Sequence, residues 1–168
     1  MNEKRLPQTK KEGILYGSII CLITVIVMLL LNIGTAFGGF SKETMLIILK
    51  LIPIIWIVAM LIESLFIGKV AEFLVSKFTE NSDSFNTKIL FNILFCVTGM
   101  SAIMTIVGGL IGTGISLEPF KTFFLHWPRN FCVAFWCEII LAQPIARFTM
   151  KSIHKKQEQK KALPELSK

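Results

Sequence analysis

The sequence contains few of the side chains from which catalytic and metal-binding sites are built. Its 168 residues include 2 histidines, 4 cysteines and 11 acidic residues. The cysteines form no CxxC motif and no Cys/His cluster with metal-ligand spacing, and neither His126 nor His154 has such a partner nearby in the sequence. No nucleophile, base and orienting group stand out as a convergent set. We therefore expect a protein that is not an enzyme and that has no metal ion or other cofactor.

Charged residues are also scarce, at 17% of the chain compared with about 25% in ordinary globular proteins. Hydrophobic residues make up 53% and occur in four long runs, at 14–33, 45–67, 89–111 and within 120–148. A run of roughly 20 apolar residues is long enough to cross a bilayer. The first run exceeds the apolar part of a signal peptide, and no small-x-small cleavage site follows it. The predicted fold class is an all-α integral membrane protein with four transmembrane helices.

The net charge of +7 comes from 18 basic residues that flank the apolar runs. Fourteen of them lie on one predicted side of the membrane, in the N-terminus, the middle segment and the tail. The other four are Lys42, Lys50, Lys121 and Arg129. By the positive-inside rule, both termini and the middle segment are expected in the cytoplasm. The basic tail lacks base-stacking aromatic residues, so we do not expect nucleic acid as a partner.

The two halves of the chain match each other without gaps at a spacing of 75 residues. The matches include residue types that are rare in apolar helices, which indicates a duplication. The matched pairs are Cys21/Cys96, Gly34/Gly109, Gly39/Gly114, Ser41/Ser116, Glu43/Glu118, Pro53/Pro128, Ala59/Ala134, Glu63/Glu138, Ala71/Ala146 and Phe73/Phe148. Each unit contains two helices, so the two tandem hairpins are parallel repeats rather than inverted ones.

The repeat divides the chain into five predicted segments. They are a cytoplasmic N-terminus (1–12), a first hairpin (13–79), a cytoplasmic linker (80–87), a second hairpin (88–153) and a basic cytoplasmic tail (154–168).

The end of each hairpin carries a pattern that resembles a known family. Ala-x-x-x-Glu is followed by Gly68-Lys69-x-Ala71 in copy one and by Gln143-Pro144-x-Ala146 in copy two. With an early cysteine, an outer glycine turn and a basic N-terminus, the chain resembles a bacterial family of small hairpin membrane proteins, the domain of unknown function 2798. The resemblance covers both repeats and implies a bacterial cell membrane, but it implies no activity. Copy one departs from the family pattern at Lys69, and copy two departs at Trp136.

Glu63 and Glu138 are the candidate functional residues. A carboxylate in hydrocarbon is costly, so an intramembrane acid usually faces a bundle interior or water. One hypothesis is a proton- or cation-binding site shared by the two copies. The other is that each glutamate forms a hydrogen bond between helices or extends toward the headgroups. Ala59 and Ala134, one turn earlier on the same face, are predicted to let a neighbouring helix approach.

Four further residues are predicted to shape the helices. Pro53 and Pro128 are predicted kinks, at which a short outer helix turns into the span. An outward-facing polar vestibule is the alternative interpretation of this region. Gly108 and Gly112 are four residues apart and form a candidate helix-packing contact.

The expected partners are the lipid bilayer, anionic headgroups bound by the basic tail and, in a homo-oligomer, further copies of the chain. A topology anchor with a solvated end is the other interpretation of the tail. For the whole protein we expect a structural or accessory membrane role, with a small proton- or cation-coupled transporter as the alternative.

Overall fold

The computed structural model describes residues 6–80, 82–113 and 116–162, with the side chains of 36, 85, 111–113 and 158–162 outside the description. No strand occurs in these ranges. The helices are α1 (Lys10–Ala36), α2 (Lys42–Ile62), α3 (Gly68–Phe78), α4 (Phe85–Thr113), α5 (Glu118–Lys121), α6 (Phe123–Cys137) and α7 (Gln143–Ala162). A first π-helical turn (Glu63–Ile67) joins α2 to α3, and a second (Glu138–Ala142) joins α6 to α7.

Four continuous helical segments are long and apolar enough to cross a membrane, as expected from the sequence. They are Lys10–Thr35, Lys42–Phe78, Asn86–Leu110 and Phe123–Gln157. The protein is therefore an all-α multi-pass membrane protein made of two tandem hairpins. With four spans, both termini lie on the same side of the membrane, which we call the terminal side. The turns within the hairpins lie on the opposite side, which we call the turn side.

The second span of each hairpin changes its packing partner along its length. On the turn side, α2 packs on α1 and α6 packs on α4, within each copy. Beyond the π-helical turns, α3 packs on α4 and α7 packs on α1, between the copies. This exchange holds the two hairpins together as one four-span bundle.

The π-helical turns bring the two parts of each second span into phase. Ala59 and Ala71 are both almost fully buried, with exposures of 1%, although they are 12 residues apart. On an uninterrupted α-helix, residues at that separation differ by about 120° in direction. A π-helical turn accommodates one extra residue, which reduces the difference to about 20°. The same argument applies to Ala134 and Ala146, which are also buried and equally spaced.

Glycines in the first span of each hairpin allow close approach at three points. A Cβ added to Gly34 would lie 2.7 Å from the Phe40 ring, and one added to Gly109 would lie 2.6 Å from Pro119. These equivalent glycines let the chain fold back tightly against the turn-side end of its first span. On α4, a Cβ at Gly99 would lie 2.8 Å from the side chain of Ile67, so Gly99 accommodates the first π-helical turn.

Neither proline ends its helix, and the kinks at Pro53 and Pro128 stay predictions. Helix α2 continues from Lys42 to Ile62 through Pro53, and α6 continues through Pro128. In copy two the interruption lies earlier, at Thr122, between α5 and α6. A proline removes one hydrogen bond, but the neighbouring bonds are sufficient to keep the helix continuous. Ser41 caps the start of α2, where its side chain accepts a hydrogen bond from the Thr44 amide.

Candidate intramembrane site

Glu63 and Glu138 occupy the same structural position in the two repeats. Each is the first residue of a π-helical turn, and its carbonyl accepts a hydrogen bond from the amide five residues later, Gly68 or Gln143. Each glutamate amide is itself shared between two carbonyls of the preceding turn. Turns of this kind are rare, and they often occur at functional sites. The duplication has therefore preserved both the acidic residue and its irregular backbone.

The two carboxyl groups lie close enough for the charge on one to act on the other. Both also act on the thiols of Cys21 on α1 and Cys96 on α4. Each of the four spans thus contributes one of these four side chains. The two glutamates occupy equivalent positions in the repeats, and so do the two cysteines. We call these four residues the central cluster.

A chain of hydrogen bonds extends from the central cluster toward the terminal side. The Gln143 side chain bonds the Glu138 carboxylate. The Tyr16 hydroxyl donates to Gln143 Oε1 and also bonds the Arg147 guanidinium. Because α7 packs on α1, this chain joins the two copies and links the glutamate to a basic residue.

A second polar contact lies near the terminal end of the same helix pair. His154 Nε2 on α7 is 3.1 Å from Glu12 Oε2 on α1, and the His154 side chain is almost fully buried. The same carboxylate oxygen accepts a hydrogen bond of 2.8 Å from the Gln8 amide. This contact fixes the start of α1 against α7.

On the turn side, a polar network surrounds Asn130, which is only 4% exposed. Asn130 Nδ2 donates to Thr105 Oγ1 at 3.1 Å, and Arg129 donates to Asn32 Oδ1 at 2.8 Å and to Asn130 Oδ1 at 3.4 Å. Nearby, Trp127 Nε1 donates to Ser101 Oγ at 3.0 Å. The predicted outward-facing region is thus a hydrogen-bonded network that reaches into the bundle.

Ala59 and Ala134 are buried in two packing clusters next to the glutamates. Ala59 packs with Cys21, Val25 and Ile55, and Ala134 packs with Ile93 and Val97. Both positions therefore lie between helices.

The candidate packing pair on α4 has a different position. Gly108 is exposed, and a Cβ added there would meet no described atom within 4 Å. Gly108 therefore lies on the outer surface of α4. Among the described residues, it makes no contact with another helix. The surroundings of Gly112 lie outside the described residues.

Sequence reasoning missed the π-helical turns, Tyr16, Gln143 and the buried Asn130. One signal for the turns was available in the 12-residue spacing of the buried alanines. Another was Pro144, which has no amide to bond the carbonyl four residues earlier. The partners of Tyr16 depend on how the copies pack, which the local pattern does not contain.

Neither of the two described cavities is lined by Glu63 or Glu138. One is an open groove of about 710 Å³ between α4 and α7, and the other is lined by residues of α6 and the second π-helical turn. Among the described residues, no group of three or more His, Cys, Asp or Glu side chains is placed to hold a metal ion.

Comparison with known proteins gives one match. The profile of the domain of unknown function DUF2798 matches residues 9–79 and again residues 84–154. No curated protein matched the chain, and no solved structure did. The two matched segments each contain one hairpin with its π-helical turn.

Proposed function

Because the chain belongs to the DUF2798 family and carries its domain twice, we propose that each copy contributes one glutamate to a shared proton- or cation-binding site. In this proposal the protein is a small proton- or cation-coupled transporter rather than an enzyme. The observation that supports it best is the placement of Glu63 and Glu138 at equivalent π-helical turns, with their carboxyl groups close enough to interact.

The chemistry of two carboxyl groups in a bilayer favours uptake of a positive charge. Ionised groups are costly in hydrocarbon, and two neighbouring carboxylates also repel each other. A proton or a cation bound between Glu63 and Glu138 would offset both effects. Release of that charge would raise the energy of the site, so its occupancy is suited to drive a change in packing.

The polar residues on either side of the central cluster support a route for the ion. The Asn130 network extends inward from the turn side, and the Gln143–Tyr16–Arg147 chain extends toward the terminal side. The π-helical turns lie between them, where the second spans change partners. A small rearrangement at these turns would alter the contacts of both copies together.

We further propose the cell membrane of a bacterium as the location, with the terminal side in the cytoplasm. The support is the distribution of basic residues, most of which lie at the two ends of the chain and in the middle segment. The bilayer, with anionic lipids near the basic tail, is the proposed surrounding partner.

The decisive assay is ion flux in liposomes that contain the purified protein. Proton entry is followed with a trapped pH dye, driven by a potassium diffusion potential, and sodium entry is followed with a sodium-sensitive dye. Wild-type protein is expected to carry one of these fluxes. Glu63→Gln or Glu138→Gln is expected to reduce the flux to the level of protein-free liposomes, because each variant removes one of two interacting carboxyl groups.

The matched controls are Glu43→Gln and Glu118→Gln, which make the same chemical change at exposed positions. Both are expected to keep wild-type flux. Equal flux in wild-type protein and in correctly folded Glu63→Gln and Glu138→Gln variants would contradict the transport proposal.

One observation favours a second function, a structural or accessory role. Neither of the two described cavities is lined by Glu63 or Glu138. In that role the glutamates stabilise contacts between helices or between copies of the chain. The glutamine variants would then change thermal stability or oligomeric state, while wild-type protein would show no flux above that of empty liposomes.

A further inference from the structure

The groove between α4 and α7 is lined by both apolar and basic side chains. Its lining includes the apolar side chains of Ile89, Ile93 and Phe148 and the basic side chains of Arg147 and Lys151. The described lining contains two basic side chains and no acidic one. The groove opens where α7 leaves copy two to pack on α1, so it follows from the exchange of partners.

Arg147 has hydrogen-bonding capacity that the described protein does not use. Its guanidinium bonds Tyr16, but its Nε is buried and has no hydrogen-bond partner among the described atoms. A buried donor without a partner is costly, so such a group indicates that a ligand or water completes the site. Guanidinium groups are well suited to phosphate oxygens, which accept two parallel hydrogen bonds.

The repeat provides an internal comparison. At the positions equivalent to Arg147 and Lys151, copy one has Glu72 and Ser76. The rest of the pattern is preserved in part, since Phe148 matches Phe73 and Ile89 matches Ile14. The basic pair is therefore specific to copy two and is not required by the hairpin fold.

The position of the pair in the bilayer indicates what the ligand is. Between Arg129 and Arg147 the chain has no basic residue, so Arg147 and Lys151 are the first cations at the terminal end of the fourth span. Phospholipid phosphates lie where a span leaves the hydrocarbon, so we place the basic pair at the depth of the phosphates and the apolar wall beside the lipid chains. Basic pockets between spans are typical sites for anionic headgroups.

We propose that this groove binds one anionic phospholipid from the leaflet on the terminal side. Arg147 and Lys151 hold its phosphate, and an acyl chain lies along Ile89 and Ile93. The site is distinct from the proposed ion-binding glutamates, although the bonds through Tyr16 and Gln143 connect Arg147 to Glu138.

Native mass spectrometry of the full chain in detergent, titrated with phosphatidylglycerol or phosphatidylcholine, tests the proposal. Wild-type protein is expected to retain one phosphatidylglycerol in preference to phosphatidylcholine. Arg147→Gln with Lys151→Gln is expected to weaken this binding about 10- to 30-fold, since each basic residue near a headgroup contributes several-fold in affinity. Millimolar glycerol phosphate is expected not to displace the lipid, because it lacks the acyl chain.

The matched control is Lys155→Gln with Lys156→Gln, which removes the same charge from exposed positions outside the groove. It is expected to change the affinity less than about twofold. An equal loss in both double variants would show diffuse attraction to the tail and would overturn the proposal. Displacement by glycerol phosphate, or an absence of preference for phosphatidylglycerol, would also overturn it.

A second variant covers the case in which the double change impairs folding. Lys151→Gln alters one exposed side chain and is expected to fold as the wild type does. It alone should weaken phosphatidylglycerol binding severalfold, and unchanged affinity in this variant would count against the site.

Discussion

Inserting one alanine after Leu65 is expected to destabilise the folded protein by about 3 kcal/mol, whereas deleting Leu65 is expected to change its stability by about 1 kcal/mol or less. The insertion rotates α3 by about 100° relative to α2. Val70 then takes the place of Ala71, which is almost fully buried at 1% exposure, and α3 can no longer pack closely on α4.

The deletion has the opposite consequence, because it removes the extra residue that the π-helical turn accommodates. The turn becomes ordinary α-helix, and the buried faces before and after it remain about 20° apart. Leu65 is 56% exposed, so little packing is lost with its side chain. This variant retains the fold without the π-helical turn, and it can be used to examine what the turn contributes to the proposed flux.

Thermal unfolding in detergent provides the measurement. A maleimide dye reports unfolding by reacting with the buried thiols of Cys21 and Cys137 and the partly buried thiol of Cys96, in a background with the exposed Cys132 replaced by serine. An alanine inserted after Asp83, in the linker between hairpins, is the length-matched control and should leave the transition unchanged. If deletion of Leu65 were as damaging as the insertion, the π-helical turn would not be what brings the buried faces of α2 and α3 into line.

Ala146→Leu is expected to destabilise the protein by about 2 to 3 kcal/mol, by introducing a larger side chain between α7 and α1. In a membrane, helices associate through close packing rather than through exclusion of water, so small residues at contacts matter strongly. Ala71→Leu tests the equivalent contact between α3 and α4, since Ala71 is 1% exposed.

Ile145→Phe is the control for the alanine variants. It enlarges a neighbouring residue that is 46% exposed, on the outer side of the same turn of α7. A change of about 0.5 kcal/mol or less is expected. The same dye assay measures all three variants. Equal transition temperatures for Ala146→Leu and Ile145→Phe would show that the contact between α7 and α1 does not require a small residue at position 146.

The architecture was predictable because its signals lie in single segments. Hydropathy runs indicate the spans, and the match of Glu63 with Glu138 in a gap-free alignment indicates the duplication. The exchange of partners by α3 and α7 was not predictable in this way. It depends on which faces meet in three dimensions, and apolar side chains such as Ile67 do not specify their neighbours by type.

The candidate site was predictable only in outline. The rarity of acids within apolar runs marks Glu63 and Glu138, and the symmetry of the repeat suggests that they lie near each other. The bonds from Tyr16 to Gln143 and Arg147 join residues far apart in sequence and belong to tertiary packing. The two prolines show the reverse case, since a strong local signal for an interruption is overridden by the continuous helix around it.

The most direct test of the shared glutamate site is labelling with dicyclohexylcarbodiimide, an apolar reagent that reacts with carboxyl groups in apolar surroundings. Purified protein in lipid is labelled near neutral pH, and the modified residues are located by peptide mass spectrometry. Labelling is expected on Glu63 and Glu138 and not on the exposed Glu72 or Glu118. Glu63→Gln is expected to alter the labelling of Glu138, because the two groups interact. Labelling confined to Glu72 and Glu118, or labelling of Glu138 that is unaffected by Glu63→Gln, would contradict a shared site.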